Sequence, residues 1–311
     1  MPLLEHTEET HMFLGEQGDF CYGTRFIDGK EQHAITGISD QGKAKISKDT
    51  TITVTFPKTD PDGTPLTVID CDLIEERGRN KQVIITDWAN IRYLQPFVFY
   101  GIGHIIIPDN WANIKEIGYA TFAFSGLSTL PHNWGNITKI SNSAFQETLI
   151  DILPEENTTL KFIDDYAFAH CKKLTKLPDY IFHIPHLGIG VFQGCSIENI
   201  TTWGEMTMLP DYFLSGNSIT EIPNTWGNIT TIGTCALNEC NLEKVPKEWG
   251  NITAINMCAF RANKIKHIPN NWKKVKEVGK CAFSFNKIEV IPKEDQDVII
   301  RNLAFAANPI G

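Results

Sequence analysis

Apolar and polar positions in this chain repeat every 23 residues, a period far longer than that of a strand or a helix. All seven tryptophans sit on one series with that step: Trp88, Trp111, Trp134, Trp203, Trp226, Trp249 and Trp272. Two slots of the series lack a tryptophan; Tyr180 fills one and Asn157 the other. Within one period the marked positions are Ile232, Cys235, Leu237, Cys240, Leu242, Val245, Pro246, Trp249 and Ile252. The next period gives Ile255, Cys258, Phe260, Asn263, Ile265, Ile268, Pro269 and Trp272. The one after gives Val278, Cys281, Phe283, Asn286, Ile288, Ile291 and Pro292. A fixed period in the range of roughly 20–50 residues marks a chain built of stacked units.

The spacing matches L-x-x-L-x-L-x-x-[N/C]-x-L followed by a proline arc, the leucine-rich repeat pattern. The predicted fold is a leucine-rich repeat solenoid. We expect a right-handed curved stack of about ten 23-residue rungs, with short parallel strands on the concave face. Rungs start at Leu94, Ile117, Ile140, Ile163, Leu187, Leu209, Ile232, Ile255, Val278 and Ile300. The Ile163 rung carries one extra residue, which moves its proline to Pro178, and a later deletion restores the phase before Trp203. Each L-x-x-L-x-L stretch is expected to be a strand with its apolar residues inward. The position after it forms a ladder: Ser125, Thr148, Cys171, Cys195, Asn217, Cys240, Asn263, Asn286 and Asn308. All are small and able to hydrogen-bond, as buried loop backbone requires. Proline ends the strand side, where its missing N–H costs little. Tryptophan fills the wide outer part of the rung.

Residues 1–82 break the period. Residues 49–56 alternate as a half-buried strand does, residues 59–65 read as a turn, and Leu66–Ile69 as another strand. We expect a small β-rich cap over residues 1–82, with residues 1–15 loosely ordered, and the solenoid over 83–311. The final rung, from Ile300 to Ile310, has no evident polar cap, so this end is expected to be either a boundary within a longer chain or the contact of a homodimer.

The segment Ile163-Asp164-Asp165-Tyr166-Ala167-Phe168-Ala169-His170-Cys171-Lys172-Lys173-Leu174 resembles the BspA-like leucine-rich repeat, and Ala-Phe recurs at 144–145, 167–168, 259–260 and 282–283. Residues 35–43 and 62–69 resemble the lead-in of such repeats in Gram-positive surface proteins. The resemblance covers most of residues 35–311 and implies an extracellular or cell-surface role in adhesion or host contact, with a protein ligand. The Leu-Pro-x-x-Trp-Gly-Asn arc departs from the family pattern.

Composition narrows the function. Net charge is -9 with a pI near 5.5, which argues against a nucleic-acid binder that needs a basic face. The longest apolar runs, such as Ile105-Ile106-Ile107, fall far short of the ~18 residues of a membrane span. Residues 1–20 lack the basic start and apolar core of a signal peptide, which leaves a cytoplasmic or host-delivered scaffold as the alternative location.

Enzyme chemistry has no footing in the sequence, and no cofactor or metal is expected. His6 and His11 are out of frame for a zinc motif. Gly188-x-Gly190-x-x-x-Gly194 is off by one from a dinucleotide fingerprint, and Asp60-Pro61-Asp62-Gly63 reads as a turn and not a calcium loop. The Asn-x-Ser/Thr sites at 136, 157, 199, 228 and 251 mostly come free with the repeat. Cys235, Cys258 and Cys281 share one position on successive rungs. The reading is a file of inward, buried thiols, with a disulfide or a soft metal as alternatives.

The binding surface is expected on the concave face. An alanine floor of Ala144, Ala167, Ala236, Ala259 and Ala282 would let a partner approach. The candidate ligand-binding residues around it are Tyr100, Tyr119, Phe124, Asp164, Asp165, His170, Glu239, Arg261 and Phe285. Aromatics and arginine are common anchors of interfaces.

Overall fold

A computed structural model of the chain describes residues 12–46, 51–73, 81–270, 272–292 and 297–311. The expectations for residues 1–11, with His6 and His11, and for Asp49 and Thr50 lie outside the described residues.

Strands recur at the sequence-read rung starts. After β1 (Met12–Leu14), β2 (Phe20–Ile27), β3 (Lys30–Ile38), β4 (Thr51–Thr55), β5 (Leu66–Ile69), β6 (Gln82–Asp87), β7 (Tyr93–Leu94) and β8 (His104–Ile106) come nine two-residue strands. These are β9 (Glu116–Ile117), β10 (Lys139–Ile140), β11 (Phe162–Ile163), β12 (His186–Leu187), β13 (Met208–Leu209), β14 (Thr231–Ile232), β15 (Ala254–Ile255), β16 (Glu277–Val278) and β17 (Ile299–Ile300). Except between β12 and β13, each pairs in parallel with the next in direct register, as Ile232 with Ile255 and Ile255 with Val278.

The leading strands join the same stack. One sheet runs β12-β11-β10-β9-β7-β5-β3-β2, and a second runs β1-β4-β6-β8. Here β3, β5 and β7 pair in parallel, as do β4, β6 and β8. Strands β3 to β6 thus continue into the parallel ladders of the rungs that follow. Among the strands of the described residues β2 alone runs antiparallel, on β3, at the outer edge of the sheet. Aromatic packing is also continuous there. Phe20 meets Phe56 at 6.3 Å, and Phe56 stacks on Trp88 at 6.3 Å.

The stretch expected to be the inward strand is something else. Only its first residues pair as strand; the following six form a turn-rich ribbon. In a strand consecutive side chains point to opposite faces. Here Ala236 and Leu237 are both fully buried, as are Ala259 and Phe260, and Ala282 and Phe283. The flanking residues explain this: Cys235 and Glu239 have φ of 54° and 55°, and the same two places are left-handed in the next rung at Cys258 and Ala262. Left-handed residues turn the chain so that two neighbours face the core. The ribbon still ties rung to rung. Cys235, Leu237 and Glu239 donate their N–H groups to the carbonyls of Met257, Ala259 and Arg261 at 2.9 Å each.

The alanine floor is therefore overturned. Ala144, Ala167, Ala236, Ala259 and Ala282 are all 0% exposed and belong to the core. The expectation of inward, buried thiols also fails for Cys235, Cys258 and Cys281, which lie partly exposed on the outer side of the ribbon.

The rest of the core follows the repeat. Trp203, Trp226, Trp249 and Trp272 stack face to face at 6.0, 6.3 and 5.8 Å. Phe99, Phe122, Phe145, Phe168 and Phe192 make a second file, with spacings from 5.0 to 5.6 Å. The ladder residues act as expected. Asn263 Oδ1 accepts from the N–H of Cys240 at 3.1 Å and of Leu242 at 2.9 Å, and its Nδ2 donates to the Leu237 and Phe260 carbonyls. Asn217 and Asn286 repeat the two carbonyl bonds, with Oδ1 of each accepting one N–H, from Ile197 and Ile265 respectively. The thiols of Cys171, Cys195 and Cys240 each donate to a carbonyl of an earlier rung.

Candidate functional site

The ribbon presents most of its left-handed residues to solvent, and most of the candidate binding residues lie on or beside it. They fall into three separate groups along the stack. Nearest the N-terminus, Tyr119 and Phe124 are each 45% exposed, and Phe97 joins them at 39%. Phe97 contacts Tyr100 edge-on at 5.6 Å and Tyr119 at 5.1 Å, and Tyr100 meets Phe124 at 5.4 Å. Four aromatic rings thus share one exposed patch. Ring contacts hold them in place, so little rotamer entropy is lost when a partner covers them.

The middle group is Asp164, Asp165 and His170. Asp165 Oδ1 accepts the N–H of Ile189 at 2.7 Å, which fixes its carboxylate to the next rung. Asp164 faces Lys139 Nζ at 3.8 Å, and Lys139 also pairs with Glu116 at 3.1 Å. Burial raises the Asp164 carboxyl above the usual carboxylate range, against the pull of the Lys139 ammonium. His170 has φ of 61° and is half-buried against Gly194.

In the third group Arg261 links the other two residues. Its guanidinium pairs with Glu239 at 3.1 Å and lies 5.0 Å from the Phe285 ring centroid. Phe285 is 55% exposed. A cation over an aromatic face at an exposed site is worth about 0.5–1 kcal/mol. Its larger effect is to hold Arg261 extended along the surface.

The sequence reading missed a groove beside the middle group. The strand ladder stops between β12 and β13, which belong to different sheets. An open groove of about 960 Å³ lies there, lined by Phe162, Asp164, Asp165, His183, His186, Glu205, Met208 and Asp211 among others. Phe162 and His186 stack at 4.5 Å with their planes 2° apart. The ribbon bridges the gap unbroken, with Gly190 and Phe192 donating to the Asp211 and Phe213 carbonyls. The sequence held the signal. Rung starts at Ile163, Leu187 and Leu209 are separated by 24 and then 22 residues, so the phase slip falls where the strands part. Phe97 was missed for another reason: at φ of 65° it faces outward from a position read as inward.

Among the described residues no three His, Cys, Asp or Glu side chains converge as metal ligands do. The turn at Asp60 is held by its own side chain, whose Oδ1 accepts from Asp62 at 3.0 Å and Thr64 at 2.9 Å.

Parallel short strands, an asparagine and cysteine ladder, and aromatic files running from rung to rung define a leucine-rich repeat protein. The model of the BspA-type leucine-rich repeat region matches in six copies across residues 78–180, 138–266 and 185–310. The chain belongs to that family, whose repeats typically serve protein interaction. A similar solved structure is a leucine-rich repeat protein from Bacteroides ovatus ATCC 8483, with a TM-score of 0.57 and 20% identity over 92% of this chain and 67% of that one. A leucine-rich cell surface protein from Faecalibacterium prausnitzii A2-165 shares 13% identity over 83% of this chain and 88% of its own, at a TM-score of 0.27. The first likeness speaks for the fold; the second is too distant to carry an argument. A comparison with curated proteins finds no match.

Proposed function

We propose that this chain is a non-enzymatic protein-binding module, used at the cell surface or in secreted form for adhesion or host contact. The observation that carries it is the row of exposed anchors along one ribbon: the Phe97–Tyr100–Tyr119–Phe124 patch at one end and the Arg261–Phe285 pair towards the other. Anchors separated along a stack suit an extended protein partner, which gains affinity from several contacts at once. Membership of the BspA-type family supports the surface location, since such proteins are commonly surface or secreted. No helix among the described residues is long and apolar enough to cross a membrane.

The test is binding of the purified chain to a panel of immobilised host matrix and cell-surface proteins. Arg261→Glu and Tyr119→Ala are each expected to weaken a positive signal at least about tenfold, the loss of roughly 1.4 kcal/mol. Binding unchanged in both variants removes the ribbon as the interface.

A second reading is a scaffold inside a cell, the producer or a host. The thiols of Cys171, Cys195 and Cys240 favour it, because they serve the ladder as hydrogen-bond donors in reduced form. Antibody labelling of intact against permeabilised cells separates the two. Self-association belongs to either reading: Ile299, Leu303 and Ile310 are exposed on the last rung. Sedimentation that stays monomeric at high concentration would end that part of the proposal.

A further inference from the structure

Three thiols stand in file on the solvent side of the ribbon. Cys235, Cys258 and Cys281 occupy one left-handed place on successive rungs, with φ of 54°, 56° and 57°. All three are free and partly exposed, unlike the buried ladder thiols of Cys171, Cys195 and Cys240. The backbones are clamped together at this place. Cys235 donates its N–H to the Met257 carbonyl, and Cys258 donates to that of Lys280, each at 2.9 Å. The Cys258 thiol interacts electrostatically with both neighbouring thiols, and Tyr212 with Cys235 at the end of the file. Hydrogen-bonded neighbours lie ~4.8 Å apart, inside the ~4.4–6.8 Å between Cα atoms that a disulfide spans. Two rungs, at ~10 Å, lie outside it. A metal centre is the weaker reading, since no three ligands converge among the described residues.

We propose that this file is a thiol–disulfide site in which Cys258 bonds either to Cys235 or to Cys281, so that one thiol of the three always stays free. It goes beyond the binding function and does not depend on which partner the ribbon takes. The oxidant is a small organic disulfide such as oxidised glutathione. The Cys258 thiolate attacks one of its sulfurs, the S–S bond breaks, and the first small thiolate leaves and takes up a proton. The neighbouring cysteine thiolate then attacks Cys258 Sγ, forms the internal disulfide and expels the second small thiol. Two protein thiols lose two electrons and two protons; the reagent disulfide gains both as two thiols.

The surroundings set the pace. Burial and the neighbouring Cys258 thiol push the Cys235 thiol up to about 11, with Tyr212 and Arg261 pulling the other way. Burial and Cys281 raise Cys258 as well, again against Arg261. Only the thiolate reacts, so exchange is slow at neutral pH and quickens as pH rises. The free third thiol is then open to a mixed disulfide with an incoming thiol.

The test uses the whole chain, incubated with oxidised glutathione at alkaline pH, alkylated, digested and mapped by mass spectrometry. The wild type is expected to hold one internal disulfide joining Cys258 to Cys235 or Cys281, with the third cysteine alkylated or glutathionylated. Cys258→Ala and Cys258→Ser are expected to lose the internal link completely, with Cys235 and Cys281 reacting singly. Cys281→Ala is expected to keep the Cys235–Cys258 link, a positive result that misfolding would not give. Far-ultraviolet circular dichroism checks the fold of each variant. A wild type without an internal link, or a Cys235–Cys281 link in either Cys258 variant, overturns the proposal.

Discussion

Replacing Asn263 with alanine tests the physical basis of the stack. Asn263 is 6% exposed and ties its own rung to the one before. Its Oδ1 takes the N–H groups of Cys240 and Leu242, and its Nδ2 reaches the carbonyls of Leu237 and Phe260. Alanine leaves two buried N–H groups without an acceptor. The Phe260 carbonyl keeps its bond from Asn286 at 2.8 Å, but the Leu237 carbonyl loses the one from Asn263. An orphaned buried donor costs about 1–3 kcal/mol, while carbonyls tolerate neglect better. We expect Asn263→Ala to lose roughly 3–4 kcal/mol, near the upper end for a single change. Asn263→Cys is the informative partner. Cys240 holds the equivalent place one rung earlier and donates to the Leu214 carbonyl at 3.0 Å. Cysteine at 263 should therefore restore the donor and only weakly accept, which places it between wild type and alanine. The assay is urea denaturation followed by tryptophan fluorescence, since Trp249 and Trp272 are buried on the neighbouring arcs. Midpoints are the safe measure, because long repeat arrays need not unfold in two states. An alanine midpoint equal to wild type, or a cysteine variant less stable than alanine, refutes the reasoning.

Further outcomes are expected elsewhere. Trp226 lies 1% exposed between Trp203 and Trp249, so Trp226→Ala should cost about 3–5 kcal/mol. Its indole N–H has no acceptor, so Trp226→Phe removes an unpaired donor along with the lost area and should unfold at a midpoint clearly above that of alanine. Gly126→Ala would drive a Cβ into the Gly103 carbonyl; a loss of roughly 1–3 kcal/mol is expected by thermal unfolding, and an unchanged Tm contradicts the tight rung spacing. Burial works to raise the Asp19 carboxyl, but Lys45 at 2.6 Å and the N–H groups of Gly15 and Glu16 outweigh it, so its pKa is lowered in the fold. A lowered folded pKa gives stability above the ordinary value of ~4. That stability is lost as pH falls through the folded value. The midpoint gap between wild type and Asp19→Asn should shrink below about pH 4; a gap that holds constant there denies the ion pair its role.

The period, the rung starts, the ladder and the tryptophan file were all legible in the sequence, because each is a matter of which residue type recurs where. A residue buried in every rung must be apolar in every rung, and a ladder that satisfies backbone must stay small and polar. The candidate anchors were legible in part. Arg261, Phe285, Tyr119 and Phe124 were found by type and do face solvent. Their grouping was not readable, since Phe97 with Tyr119, and Arg261 with Phe285, meet only across rungs. The alanine column went to the wrong face for a backbone reason. Letter patterns imply a two-residue alternation, but φ near 55° at Cys235 and Glu239 turns Ala236 and Leu237 inward together.

The sequence alone therefore determined what each rung is made of and that rungs must stack, since period and chemical type are local properties. Tertiary structure decided which residues meet solvent, which face the three aligned thiols take and that the strand ladder opens into a groove at the phase slip. Those outcomes depend on backbone handedness and on contacts between residues some 23 positions apart, and no single stretch of chain encodes them.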